Sequence, residues 1–206
     1  MRNRKGLNRY LSNCLIVVLV LGLTGSCFNS RTYLTPEQIS WNPYKHGQVL
    51  VFKSSKNEID SINIKEIEAV FPDGMGVPDH NQRLRVLALH TDPRDANKDW
   101  ETYILRISTE SKKNGEPSQI GFDLRLKNSW FFEEKYDFDW VAAQPEIGVS
   151  VPYGELSDVI ELNDKGRDDP DTELDIRTIY WSKSKGYVRL DKYDGTFWEL
   201  IEIIEP

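Results

Sequence analysis

The chain has 206 residues, of which 39% are hydrophobic and 29% charged, with a formal net charge of -7. That is room for one domain or two small ones, with a globular balance rather than a disordered or multi-span membrane one. Two cysteines exclude a disulfide scaffold and a cysteine-rich zinc module, and the acidic balance argues against general nucleic-acid binding.

Arg2, Arg4, Lys5 and Arg9, with no acid among them, precede an apolar run from Cys14 to Leu23, which is followed by Thr24, Gly25, Ser26 and Cys27. A basic start, a short apolar stretch and a small-residue exit are the three parts of a secretory signal. As a helix the run reaches ~15 Å, about half of a ~30 Å hydrocarbon core, so a cleaved signal is expected rather than a permanent span.

The segment Leu23-Thr24-Gly25-Ser26-Cys27 resembles a bacterial lipobox, with Leu23 four places before the cysteine. The resemblance implies a signal peptide over 1–26 and fatty acylation of Cys27 as the first mature residue. It makes membrane lipid the one implied partner. Phe28 is not the Asp that keeps lipoproteins at the inner membrane in some such bacteria, and no acidic run of the kind linked to surface display follows. The implied location is the outer membrane, lipid-anchored, on its periplasmic face. Removal of 1–26 takes four of the 26 basic and none of the 33 acidic residues, leaving 22 against 33, a net of -11. Anionic headgroups should repel such a surface, leaving anchorage to the acyl chains alone. With Cys14 removed and Cys27 acylated, no thiol remains for a disulfide, a metal or nucleophilic catalysis.

Residues 27–46 read as the lipidated N-terminus and a tether, in which Thr35-Pro36-Glu37-Gln38 opens one helical turn with Thr35 as cap and Pro36 in the first position. Trp41 and Pro43-Tyr44 suggest that the chain has reached a core surface. From 47 to 206 the pattern is mostly period two. Strands are expected over 48–53, then through Ile59, Ile62, Ile64 and Ile67 with a break that marks a bulge, then over 83–89 and 102–108. Pro72-Asp73-Gly74-Met75-Gly76 and residues 111–117 read as turns. Ile120, Phe122, Leu124 and Leu126 form an alternating strand with Gly121, Asp123 and Arg125 facing out. Tyr136-Asp137-Phe138-Asp139-Trp140 alternates aromatic with acid. Asp158 to Leu162 is a strand and Asn163 to Glu173 an acidic loop. Strands over 176–181, 187–190 and 196–203 close the chain, with Asp194-Gly195 as a hairpin turn. Eight to ten strands with local connections predict a mainly β fold: a single antiparallel sheet curled into an open barrel or sandwich.

The segments Tyr33 to Glu37, Trp41-x-Pro43-Tyr44, Val49 to Phe52, Tyr180 to Val188 and Asp194 to Leu200 resemble the short β-rich lipoproteins of unassigned function of Bacteroidota-type bacteria. That resemblance implies an envelope location and no reaction.

His46, His80 and His90 stand at no ligand spacing to one another, and each reads as a surface or strand-end histidine. No serine elbow, phosphate loop or dinucleotide fingerprint occurs. In the acidic loop Asp168, Asp169, Asp171 and Glu173 offer oxygens to calcium but lack the order that would set them around one ion, so a solvated loop is expected and no metal site is assigned. Trp130 and Trp140, with acids between them, are the residues best suited to stack a ligand, although most tryptophans in a β protein belong to the core. The reading is a lipid-anchored, cofactor-free, non-enzymatic envelope protein with a binding or structural role. A glycan-binding lipoprotein with a row of exposed tryptophans, and a lipid or lipoprotein carrier with an apolar cavity, are the alternatives.

Overall fold

The computed structural model describes residues 31–74, 77–78, 80–92, 94–110, 115–164 and 170–206, with Thr32–Pro206 as one compact unit. The signal segment 1–26 and Cys27 lie outside the described residues, as do Asp168 and Asp169. Among the described residues the first half of the chain forms β1 (Val49–Ser54), β2 (Ile59–Val70), β3 (Asp73–Gly74), β4 (Val77–Pro78), β5 (Arg83–Asp92), β6 (Asp95–Ser108) and β7 (Gln119–Leu126). The second half forms β8 (Ser129–Asp137), β9 (Ile147–Val151), β10 (Gly154–Asn163), β11 (Ile176–Ser182), β12 (Gly186–Lys192) and β13 (Phe197–Ile204). Two five-residue helices, α1 (Pro36–Ser40) and α2 (Phe138–Ala142), complete it.

Eleven strands make one antiparallel sheet in the order β8-β7-β6-β5-β2-β1-β13-β12-β11-β10-β9, curled into an open half-barrel. The expected fold class is thus found, with slightly more strands than the alternation predicts. The additions are β8, β9 and the β3–β4 pair, which flanks the expected turn at 72–76. The expected break in β2 is a register shift against β5 between Ile64 and Glu66.

A twisted sheet of this width has one face to bury, and it buries it against itself. Phe122 of β7 meets Trp181 of β11 at 4.9 Å and Tyr187 of β12 at 6.2 Å, while Trp181 and Tyr187 are 5.0 Å apart, all edge-to-face. Such pairs add to the burial of their area. The polar end of Tyr187 is satisfied across the interior, where its hydroxyl donates to the Ile104 carbonyl of β6 at 2.7 Å. A seam ties edge strand β8 back to the far wing. Trp130 N–H donates to Leu174 O (2.9 Å), Tyr136 Oη to Asn163 O (2.9 Å) and Trp198 Nε1 to Ser129 Oγ (2.7 Å).

Residues 32–46 differ from the expected tether, because they pack onto the sheet as part of the same unit. Thr35 and Gln38 form a reciprocal capping box and Pro36 opens the turn, as the sequence predicts. Beyond α1, Trp41 packs on Phe138 (5.6 Å) and Tyr44 on Trp181 (5.8 Å). The buried Tyr44 hydroxyl accepts the Tyr187 N–H at 3.1 Å, and burial holds the phenol far above its ordinary pKa.

Within 136–140, where the sequence alternates aromatic with acid, β8 ends: the Asp137 carboxylate accepts the Trp140 N–H (3.1 Å) and starts α2, which buries Phe138 and Val141 and exposes Asp139 and Trp140. On β7, Gly121 and Asp123 lie on the side opposite Ile120, Phe122 and Leu124, as expected, but are covered there and buried. Asp123 accepts from Thr102 Oγ1 (2.9 Å) and pairs with Arg125 Nε (3.3 Å), which compensates a carboxylate removed from water.

Gly186 and Gly195 share φ +82°, but a Cβ on Gly186 would lie 2.0 Å from Tyr44 Oη whereas one on Gly195 would meet nothing within 4 Å. Gly195→Ala should cost about 1–2 kcal/mol for its left-handed backbone. Gly186→Ala should cost a further ~1–3 kcal/mol for overpacking. Urea denaturation of the two variants checks this, and equal costs would contradict the Tyr44 packing.

Candidate functional site

The two tryptophans singled out by sequence are not brought together. Trp130 lies at the start of β8, while Trp140 sits in α2 beyond the other end of the strand, with six residue steps and roughly 20 Å of strand from Trp130 to Tyr136 alone. Trp130 is half-buried, and its ring is taken by guanidinium groups, Arg125 at 4.7 Å and Arg94 at 5.4 Å from the centroid. Arg125 also lies 5.0 Å from the ring of Trp100, a residue sequence reasoning did not select although it is 45% exposed. This Trp100–Arg125–Trp130 layer helps cover the outer face of β7, which explains why Asp123 beneath it is buried. Trp140, 50% exposed, stacks one face on Tyr136 at 5.6 Å and 7°.

His90 is buried instead of lying at the surface, at 2% exposure. Its Nδ1 donates to the Arg125 carbonyl at 2.8 Å, since a carbonyl can only accept, while Nε2 is buried without a hydrogen-bond partner. Burial pulls its pKa below the ordinary 6.5, outweighing the carbonyl hydrogen bond and the nearby Asp123 charge, which act the other way. As for the acidic loop, its described part uses Asp171 locally. The Asp171 carboxylate accepts from Glu173 N–H (3.1 Å), and the Asp175 carboxylate accepts from Asp171 N–H (2.9 Å). No group of three metal-ligating side chains forms among the described residues.

Two clefts remain. One, of about 710 Å³, lies along the seam between the β1–β2 turn and the residues before β11. At its base Lys192, 5% exposed, donates its ammonium to the carbonyls of Asn128 (2.7 Å) and Glu173. Burial lowers its pKa, but both contacts are to main chain, so the ammonium is a brace across the seam. Asp171, Glu173, Asp194 and Glu58 balance Lys56, Lys192 and Arg94 around this cleft.

The second cleft, of about 430 Å³, sits on the outer face where β5, β6 and β7 pair, and its charge is not balanced among its lining side chains. Leu84, Val86 and Ala88 of β5 point into the core, so Arg83 and Arg85 share the opposite side. Arg106 of β6 stands directly across from Arg85, Ser108 across from Arg83 and Gly121 of β7 across from Arg106. Like charges directly opposite across a ladder destabilise it, so a paired Arg85–Arg106 position is a cost that packing alone does not explain. Arg85 lies over the Tyr103 ring (4.9 Å), and its Nε is 2.8 Å from Glu68 Oε1, an ion pair whose N–H is not aligned for a hydrogen bond. Arg83 and Arg106 also have interactions of their own. Three guanidiniums with Tyr103, Ser108, Gln119 and one lining carboxylate, Glu116, make a site suited to an anion that accepts several hydrogen bonds. Sequence reasoning missed it because Arg83 and Arg106 lie far apart in the chain and each reads as an ordinary solvent-facing position in its strand.

Fold and cleft together define an antiparallel β half-barrel with a basic cleft on its outer wall. Compared with known proteins, the chain matches no family model, no curated protein and no solved structure.

The lowered His90 pKa sets a pH dependence. As pH falls through about 6.5 the unfolded chain takes up a proton that the folded chain refuses until its own lower pKa is reached, so stability falls on acidification and is unaffected above. Urea titrations between about pH 7 and 5 should show this loss, and His90→Asn, which keeps a donor near the Arg125 carbonyl, should flatten it. An unchanged slope in the variant would remove His90 from the account.

Proposed function

We propose that this chain is a lipid-anchored cell-envelope protein whose folded unit binds an anionic ligand close to the bilayer, without catalysis. The observation that carries this reading is the start of the compact unit at Thr32, five residues after Cys27. Five residues span at most ~17 Å, so an acylated Cys27 would hold the half-barrel against the membrane instead of letting it swing on a long tether. The basic start, the short apolar run and the lipobox-like Leu23 to Cys27 support export and acylation, with the outer membrane and its periplasmic face as the proposed location.

The non-catalytic reading is supported by the commitments of the groups best able to do chemistry. The Lys192 ammonium holds two main-chain carbonyls and His90 Nδ1 holds a third. The glycan alternative expects a row of bare tryptophans, whereas Trp130 lies under two guanidiniums and Trp140 is remote from it. The carrier alternative expects an apolar cavity, whereas Phe122, Trp181 and Tyr187 occupy the centre of the half-barrel.

Mass spectrometry of the protein extracted from membranes tests the anchor. The N-terminal peptide should begin at Cys27 and carry fatty acids, and Cys27→Ser should abolish the acyl mass. An unmodified Cys27 in the mature wild-type protein would contradict the reading.

A further inference from the structure

We propose that the arginine cleft takes phosphoryl headgroups of the bilayer that carries the anchor, so that the half-barrel rests on the membrane with this part of its outer wall against the lipid. This inference deepens the anchored-binding reading and rests on it.

The first support is where the N-terminal chain joins the fold. Thr32 forms a parallel bridge with Asn81: its N–H donates to His80 O (2.8 Å) and its carbonyl accepts from Gln82 N–H (2.9 Å). Leu34 N–H then donates to the Gln82 side chain at 3.0 Å. Asn81 lines the cleft and Arg83 follows two residues later. The segment that would lead to the acylated cysteine therefore leaves the fold at the rim of the cleft. Five residues reach at most ~17 Å, so this rim is the part of the fold an acylated Cys27 would hold nearest the headgroups, and the chain must approach more closely than its full reach for their charge to act within a ~8 Å Debye length.

The second support is chemical. Arg83, Arg85 and Arg106 offer planar forks that match phosphate oxygens, with hydroxyl and amide donors from Ser108 and Gln119 beside them, while the Tyr103 hydroxyl donates to Glu68 at 3.4 Å. Glu116 at the rim and Glu68 against Arg85 oppose the anion, and Arg83 and Arg106 keep interactions of their own, so the ligand would add to these contacts. Gly121 adds no side chain to the wall opposite Arg106. A volume of about 430 Å³ admits a phosphoglycerol-sized group.

The third support is contrast. The mature chain at net -11 should be repelled by an anionic bilayer as a whole, yet a cationic cluster stands where the anchor would enter. Net charge governs approach from far away, whereas a tethered protein experiences the charges nearest its tether.

The test uses the acylated full-length protein reconstituted into vesicles of phosphatidylcholine alone or mixed with phosphatidylglycerol. Because acylation leaves no free thiol, Pro117→Cys at the exposed cleft rim takes a single fluorophore, whose quenching by neutral acrylamide is read. Phosphatidylglycerol should protect the label. Arg83→Gln should reduce the protection roughly five-fold, and the triple variant Arg83→Gln, Arg85→Gln, Arg106→Gln should abolish it, since each basic residue near an anionic surface contributes about that factor. If circular dichroism shows the triple variant unfolded, Arg83→Gln alone decides, because Arg83 is exposed and off the core side. Equal quenching in both lipid mixtures, with the protein still floating with the vesicles, would overturn the headgroup site and leave the anchor standing. Protection by inorganic phosphate on phosphatidylcholine vesicles would overturn it in favour of a free anion. Protein that does not float with vesicles at all would instead refute the anchor.

Discussion

The structure depends on one buried contact, the Tyr44 hydroxyl accepting the Tyr187 main-chain N–H in the space left by Gly186. Three demands meet there. The turn into β12 needs positive φ at Gly186, the arriving Tyr44 ring needs the volume a side chain would fill, and the Tyr187 amide needs an acceptor once it is out of water. The contact spans most of the chain and joins the N-terminal strap to the centre of the sheet. It also sets Tyr44 edge-on to Trp181, which contacts Tyr187 and Phe122 in turn. The strap, the β7 wing and the β11–β12 wing therefore share one core.

That arrangement accounts for a half-barrel with a filled interior. An eleven-stranded sheet could curl around a cavity, but aromatic rings from both wings meet instead; the polar tips of Tyr187 and Trp198 find partners across the gap, Ile104 and Ser129, while the Trp181 indole N–H is buried without a hydrogen bond. Along the seam Lys192 performs the same service with a charge, satisfying two carbonyls that the Asn128 turn and the Glu173 segment leave pointing inward. The filled interior leaves the outer wall for the proposed anion site. The basic cleft lies where the β5–β6 ladder accepts a like-charge pair, beside the point where the strap joins the sheet.

The parts of the fold legible in the sequence are those fixed by local physics. Ile120, Phe122, Leu124 and Leu126 alternate because one face of β7 is core, Thr35-Pro36 caps a helical turn, and Asp194-Gly195 supplies the left-handed residue of a hairpin. Failures occur where a distant element decides. Asp123 looks solvent-facing until Thr102 and the Arg125 layer cover it. Within 32–46 the sequence marks Trp41 and Tyr44 as reaching a core surface, but Leu34, which follows no strand period, reads as tether although it too is buried. The arginine cleft was invisible for a related reason: strand register, which local sequence does not encode, decides that Arg85 and Arg106 face each other.

The central claim is that the strap is integral to the half-barrel, so that only five residues separate Cys27 from the fold. Native-state hydrogen exchange of the Tyr187 amide tests this most directly, because its proton is held by Tyr44 on the strap rather than by a neighbouring strand. The account predicts exchange only through global unfolding, with the free energy and urea dependence of the most protected β1 and β13 amides. Exchange through a cheaper opening that exposes residues 32–46 while the sheet amides stay protected would contradict it, and would turn the strap back into a long tether.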